Sequence, residues 1–410
     1  MSLRRAAPVI IFSALIVFLV MGARQTLGLF LAPVTEALDV GRETFSLALA
    51  LQNLMFGLPL LGILADRIGP RSIAVAGSLL YAGGFLLLAR VGDPSGLYLT
   101  LGLLMGLALS GASYVIVLGA VAQVVPPERR TAAFGLITAA GSIGMFTVVP
   151  GAQWLLSNVG WQGAATGLAI ATGLAALLAL GLPGRHRAEP VKGGASSAPP
   201  AAEVGLGRVL SRARRHRGYW LLNAGFFVCG FHVAFVAAHL PAFLSDNGRS
   251  PEIGAWALGL IGLFNLIGSL TFGWLGDRFR KKRLLSGLYF GRAVVISLFL
   301  LLPLTDGTAL LFGAAIGFLW LATVPLTSGM VAQIFGSRYL STLYGIVFLS
   351  HQLGAFLGVW LGGRVYDTTG SYLPVWLIAV ALGVIAAVVH LPISDRKVEW
   401  REGAAVTIGN

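Results

Sequence analysis

The sequence predicts an all-α polytopic membrane protein, with twelve transmembrane helices arranged as two similar six-helix bundles. Three observations carry this. Mean hydropathy is +0.83, with 56% hydrophobic and only 11% charged residues, whereas a soluble domain carries about 25% charged residues. Apolar runs long enough to cross a bilayer follow one another along the 410 residues, and spanning the hydrocarbon core takes roughly 20 apolar residues per helix. A short glycine, aspartate and arginine motif occurs twice, at matching places in the two halves of the chain.

The runs place helices at 8–32, 44–65, 72–90, 97–124, 131–156, 161–182, 218–244, 253–275, 284–304, 308–334, 339–363 and 371–392. The first follows Arg4 and Arg5 and resembles a signal peptide, but eleven further runs follow and no A-x-A-like cleavage site precedes a soluble domain. It is expected to remain as a span. Cys229 is the single cysteine and sits inside an apolar run, so no intrachain disulfide is possible and packing is its expected role.

A formal net charge of +13 would suggest nucleic acid as partner of a soluble protein. Here the distribution of charge has a topological cause, and no nucleic-acid partner is expected. With both termini cytoplasmic, the inner segments take most of the 29 Lys and Arg residues, and the outer loops hold only Arg42, Arg90, Arg249 and Arg364. That asymmetry is the positive-inside pattern for an even number of spans. It predicts a bacterial-type inner (plasma) membrane protein with an N-terminal bundle at 1–183, a cytoplasmic basic linker at 184–217, a C-terminal bundle at 218–393 and a cytoplasmic tail at 394–410. The linker begins as a Gly, Ala, Ser and Pro-rich tether. Its second part, Val204 to Arg217, reads either as a basic amphipathic helix drawn to anionic membrane lipid or as a solvated connector.

The repeated motif is "GILADRIGPR" at 62–71 and "GWLGDRFRKK" at 273–282, so that Gly62 matches Gly273, Asp66 matches Asp277 and Arg67 matches Arg278. Each copy follows the second helix of its half. A glycine there admits a neighbouring helix, a carboxylate favours a helix N-terminus or an arginine, and arginines meet lipid phosphate or acidic partners. The pattern G-x-x-x-D-R-x-G-x-R resembles the signature loop of the major facilitator superfamily. The resemblance covers nearly the whole chain. It implies two parallel six-helix repeats that rock about a solute site near mid-membrane, with the motif acting as a gate latch rather than a substrate site. Gly62, Asp66, Arg67, Gly69 and Arg71, with Arg129 and Arg130 as inner partners of Asp66, would form that latch, repeated by Gly273, Asp277 and Arg278. The same arginines also serve as topology anchors. Gly354, Gly358 and Gly362 recur every four residues in the eleventh helix, as close packing at a moving interface would require.

Ionisable groups deep in a membrane are costly and by default functional. The 16 acidic residues all fall in loops or at helix ends, leaving Arg24, Arg292, His232, His239 and His351 within spans. Arg24 lies roughly 24 Å into the first helix at about 1.5 Å per residue, too deep to snorkel back to its starting surface. Two readings stand: a substrate anion in the cavity, or pairing with Glu36 or Glu43 at the outer edge. Arginine stays protonated and cannot carry a coupling proton, whereas histidine can. His232 and His351 are therefore the proton-coupling candidates, against the plain reading of interhelical hydrogen bonds. Arg292 is expected to extend its side chain to the inner surface. Gln25, Asn53, Tyr114 and Asn265 complete the candidate substrate-binding set.

The first helix, "GARQTLGLFL" followed by an acidic outer loop, resembles the monocarboxylate transporter and oxalate:formate antiporter branch of that superfamily. In animal monocarboxylate members a lysine stands where Arg24 does and helps receive the carboxylate. The chain departs in the eighth helix, where that branch often places an arginine and this sequence has Asn265 and Ser269. The resemblance implies a monomeric secondary transporter of a small organic anion, possessing neither cofactor nor metal and using a proton as coupling ion. An efflux antiporter for a neutral or anionic amphipathic compound is the alternative, and a non-transporting membrane sensor a remote one. An intramembrane enzyme is disfavoured, since no His-Glu-x-x-His or G-x-S-x-G string occurs.

Overall fold

A computed structural model describes residues 3–58, 64–65, 68–184, 206–336 and 340–398. Gly62, Asp66 and Arg67 lie outside the described residues, and so does the first part of the linker. Among the described residues the regular structure is entirely helical. Ten segments are long and apolar enough to cross a membrane. One of them, Ala133–Ala179, is interrupted at Gly160, whose φ of 71° and ψ of 177° no helix contains. A further helix, Arg42–Phe56, runs up to the undescribed stretch. Counted as separate segments, these bring the long bundle helices among the described residues to twelve.

In chain order they are α1 (Ala6–Ala37), α2 (Arg42–Phe56), α3 (Pro70–Leu88) and α4 (Pro94–Val124). The long Pro127–Ala179 stretch supplies α5 before Gly160 and α6 after it. Then come α7 (Arg217–Asp246), α8 (Pro251–Arg278), α9 (Lys281–Leu301), α10 (Asp306–Phe335), α11 (Leu340–Thr369) and α12 (Leu373–His390). Successive helices run in opposite directions, so one face holds the start of α1 and the ends of the even helices. We call this the terminal face and its opposite the distal face. Leu79, Leu86, Ile170, Leu177, Leu298 and Ile385 are exposed on the outside of the bundle, an arrangement that suits a lipid solvent and no aqueous one.

Local chemistry sets several ends. Gly69 takes φ 96°, where a side chain would be strained, and Pro70 starts α3 with its fixed φ. Asp93 caps α4 through Gly96 N–H at 2.9 Å. The linker helix Leu206–Arg215 buries Val209 and Ala213 against the C-terminal half and exposes Arg208, Arg212 and Arg215.

Three helices are broken near mid-depth. α1 stops being α-helical after Gln25 and passes through a 3-10 turn at Leu27–Phe30. There Gly28 lies against the Ala237 carbonyl of α7, so closely that a Cβ would overlap it. α4 is broken at Ser113, which is extended at φ −88° and ψ 178°. α10 is interrupted between Phe318 and Thr323.

The halves α1–α6 and α7–α12 meet through α2 against α11, α5 against α8, and the α1 turn against α7. The glycine stripe of α11 does not sit there. Gly354 and Gly358 abut the carbonyls of Phe227 and Phe231, and Gly362 abuts His239, all on α7. The stripe therefore packs two helices of the same half, correcting its expected place at the moving interface; it is the neighbouring Gly363 that faces α2, at Ser46 and Arg42.

Candidate functional site

Arg24 stands just before the break in α1. Its Nη2 donates to Asn53 Oδ1 of α2 at 2.6 Å, and its guanidinium lies over the Phe56 ring, 4.9 Å from the centroid. Asn53 and Phe56 are three residues apart, so both project from one side of α2. The phenols of Tyr81 on α3 and Tyr114 on α4 lie within electrostatic reach. No carboxylate pairs with Arg24 among the described residues. Glu43 is engaged elsewhere, accepting from Trp360 Nε1 at 3.1 Å and from Arg364 Nη1 at 2.9 Å. Arg24 is deeply enclosed yet only half-buried, and Gln25, Phe56, Tyr114 and Phe348 likewise keep accessible surface.

The site continues into the other half through rings. Phe56 meets Phe348 of α11 edge to face, with centroids 6.1 Å apart and planes at 78°. Phe348 stacks on His351 at 5.8 Å, and His351 contacts Phe226 of α7 at 4.9 Å. Sequence reasoning missed Phe56 and Phe348. Each lies three residues from a chosen polar candidate, Asn53 and His351, and that helical spacing is the signal that could have found them. Tyr114 begins the second segment of α4 and rests its hydroxyl where only Gly141 of α5 leaves room.

The remaining candidates lie apart. His232 sits between α7 and α12 with its Nε2 2.7 Å from the Ala379 carbonyl, and its Nδ1 is buried without a described partner. His239 bonds the Val359 carbonyl at 2.8 Å and the Tyr372 hydroxyl at 3.2 Å. Asn265 joins the halves by a different route: its Nδ2 donates to Ser142 Oγ of α5 at 3.0 Å, while its Oδ1 accepts the Leu321 N–H at 3.0 Å. It thereby ties α8 both to the opposite half and to the break in α10.

Arg292 corrects an expectation. It is 1% exposed and does not reach the surface. Its Nε and Nη2 donate to the Leu319 carbonyl at 3.0 and 2.8 Å, and Nη2 also donates to the Trp320 carbonyl. The cation satisfies carbonyls that the α10 break would leave unpaired, so burial serves the fold rather than being avoided. Cys229 lies beside it, 3.6 Å from Nη2, and is also 3.2 Å from the Thr323 hydroxyl.

Of the latch residues, Arg71 donates from Nε to the Leu182 carbonyl at 2.7 Å, closing the end of α6. Arg129 and Arg130 lie in the first turn of α5, and their side chains are outside the described residues. In the second copy Gly273 meets no neighbouring atom, Asp277 is exposed, and Arg278 stacks on Trp274 at 3.8 Å.

The distal face is sealed across the halves. Arg42 of α2 grips Asp246 of α7 with Nη1 to Oδ2 at 2.6 Å and Nη2 to Oδ1 at 2.7 Å. Ser157 of α5 donates to Glu252 of α8 at 3.2 Å. A depression of about 580 Å3 outside this seal is lined by Thr35, Glu36, Asp39, Arg42, Tyr366 and Asp367, and does not include Arg24. Toward the terminal face, the inner segments of α4 and α10 pack within their own halves.

Two helical repeats sealed together across one face match a known family. The sequence fits the Major Facilitator Superfamily over residues 13–321 and again over 222–406. The chain belongs to the Major Facilitator Superfamily. It is thus a membrane transporter of a small solute and not an enzyme. Among its relatives is an uncharacterised MFS-type transporter of Bacillus subtilis, YcxA, 26% identical over 407 residues that cover 91% of this chain and 92% of that one. Monocarboxylate transporter 13 of Bos taurus is 28% identical over 382 residues, covering 91% and 86%. In fold the chain resembles a bacterial homologue of the human lysosomal transporter Spinster, in an inward-facing and occupied conformation, with TM-score 0.78, 15% identity and coverage of 98% and 100%. A D-xylose-proton symporter gives TM-score 0.70 at 16% identity, covering 94% and 97%.

Proposed function

We propose that this superfamily member is a secondary active transporter of a small organic anion of the monocarboxylate type, working by alternating access around Arg24. One observation carries the reading: a guanidinium stacked on Phe56, itself against Phe348 of the other half, that uses one described hydrogen bond, to the neutral Asn53, and has no carboxylate partner among the described residues. A fixed charge in low dielectric is stabilised by a counter-ion, and a carboxylate or comparable anion meets its fork geometry. The similarity to monocarboxylate transporter 13 supports the same class.

In this reading the charge asymmetry sets both termini in the cytoplasm of a cell bounded by an inner membrane, and the sealed distal face is the outer one. The anion then enters or leaves from the cytoplasmic side in the state described, with the latch around Asp66, Arg67, Arg129 and Arg130 engaged in the opposite state. Release of Arg42 from Asp246 accompanies opening outward. The protein acts as a monomer, and a proton is the coupling ion. Of the two histidine candidates, His351 adjoins the site through Phe348, whereas His232 is held in the α7–α12 seam.

Uptake of labelled lactate, pyruvate and oxalate into proteoliposomes, with and without an imposed pH gradient, tests this. Arg24→Ala is expected to abolish uptake and leave the protein folded. Transport at the wild-type rate by that variant removes the anion site, and acid-stimulated uptake unchanged in His351→Ala removes histidine coupling.

A further inference from the structure

The geometry points to an aromatic carboxylate as the preferred substrate, with Phe56 and Phe348 as specificity-determining residues. This rests on the anion reading of Arg24 and goes further by naming the body attached to the charge. Phenylalanine rings make up much of the cation's surroundings, beside the phenols of Tyr81 and Tyr114. Phe56 offers its face to the guanidinium at 4.9 Å, and the Phe56 and Phe348 planes stand at 78° across the join of the halves. Phe348 and His351 lie parallel, within 6°, and Phe226 and Tyr344 extend the wall with centroids 5.9 Å apart.

Aromatic rings attract one another beyond area burial, because the negative face of one meets the positive edge of the next. A perpendicular pair presents one face and one edge, so a third ring is accommodated favourably beside it. The carboxylate of an aryl acid then reaches Arg24 while its ring rests against Phe348. Asn53, the amide touching Arg24, is held in place, with Oδ1 accepting from Arg24 and Nδ2 donating to the Leu49 carbonyl. Phe56 belongs to one half and Phe348 to the other, so a ring seated on both also reports the relative position of the halves.

Competition against a labelled carboxylate in proteoliposomes, with phenylacetate, cyclohexylacetate and lactate as probes, tests the inference. Phenylacetate is expected to compete better than the equally bulky, non-aromatic cyclohexylacetate by about tenfold, and Phe348→Leu to erase that difference, which Phe348→Tyr restores. Thermal protection of the purified wild-type protein by the same three acids gives the ranking even where the variant fails to fold. Equal competition by phenylacetate and cyclohexylacetate, or a preference for lactate, overturns the aromatic assignment and leaves the anion site standing. Competition by none of the acids, or competition that persists in Arg24→Ala, overturns both.

Discussion

Asp367 caps a helix to which it does not belong. Its Oδ1 accepts the Arg42 N–H at 2.9 Å and its Oδ2 the Glu43 N–H at 2.8 Å, so a carboxylate on α11 satisfies the first turn of α2 in the other half. The helix's own N-cap is Gly41, which has no side chain to do this, and a Cβ there would collide with the Asp367 carboxylate. Capping a helix start with a carboxylate contributes about 1 kcal/mol, and here it is available only while the distal face is closed.

Asp367→Ala is therefore expected to shift the protein toward the distal-open state by about fivefold to tenfold. Labelling of a cysteine placed on the distal side of the seal would measure this, with Gly41→Ala shifting it in the same direction. Labelling unchanged in both would show that the cap is not part of the seal.

The Arg42 and Asp246 pair is bidentate but retains 14% and 26% side-chain exposure, so its strength is about 1 kcal/mol and weakens with salt. Either Arg42→Asp or Asp246→Arg should loosen the distal face. The double exchange should restore only part of the closure, since it still lacks the Arg42 stack on Tyr366 at 3.8 Å. A double-mutant cycle on the same labelling rate reads the coupling.

Arg292→Ala removes the donors from the Leu319 and Trp320 carbonyls in the α10 break. Charge-assisted hydrogen bonds contribute about 1.5–3 kcal/mol each, so a marked fall in melting temperature is expected, with Arg292→Lys intermediate. Arg24→Ala, which loses a single described hydrogen bond from a half-buried side chain, should melt close to the wild type. Reversal of that order would refute the roles assigned to the two arginines.

His216 precedes α7, and its Nδ1 accepts the Tyr219 N–H at 3.2 Å, which requires that nitrogen to be unprotonated. Burial, then the charge of Arg212, lowers its pKa from the usual 6.5. A base with a depressed folded pKa binds fewer protons folded than unfolded, so its contribution is present above about pH 6.5 and lost as the pH falls below it. Thermal stability should decline in that acid window, and His216→Asn, which keeps a capping oxygen, should flatten the decline.

The apolar runs, the alternation of helix direction and the position of Arg24 were legible because length and charge alone determine them in a lipid solvent. The orientation of side chains was not. A span that is apolar on every side has no polar face to mark where it turns, so nothing separated His232, which faces α12, from His351, which faces the ring ladder. Breaks were equally hidden: Ser113 and the 319–322 stretch lack proline, and the backbone groups freed in the latter are met by residues distant in sequence, Arg292 and Asn265. Arg292 was misplaced for that reason, since its partners are backbone carbonyls, which every residue possesses.

Because the cap at Asp367 is made to main-chain N–H groups, its partner has no identity to lose. Side-chain replacement at 42 or 43 alters charge around the closure while the two amides stay in place, provided proline is avoided. Tolerance of the cap itself should therefore be lopsided, indifferent to the side chains at 42 and 43, whose own pairings hold the seam separately, and narrow at positions 41 and 367, where one requires an empty space and the other the acid that fills it.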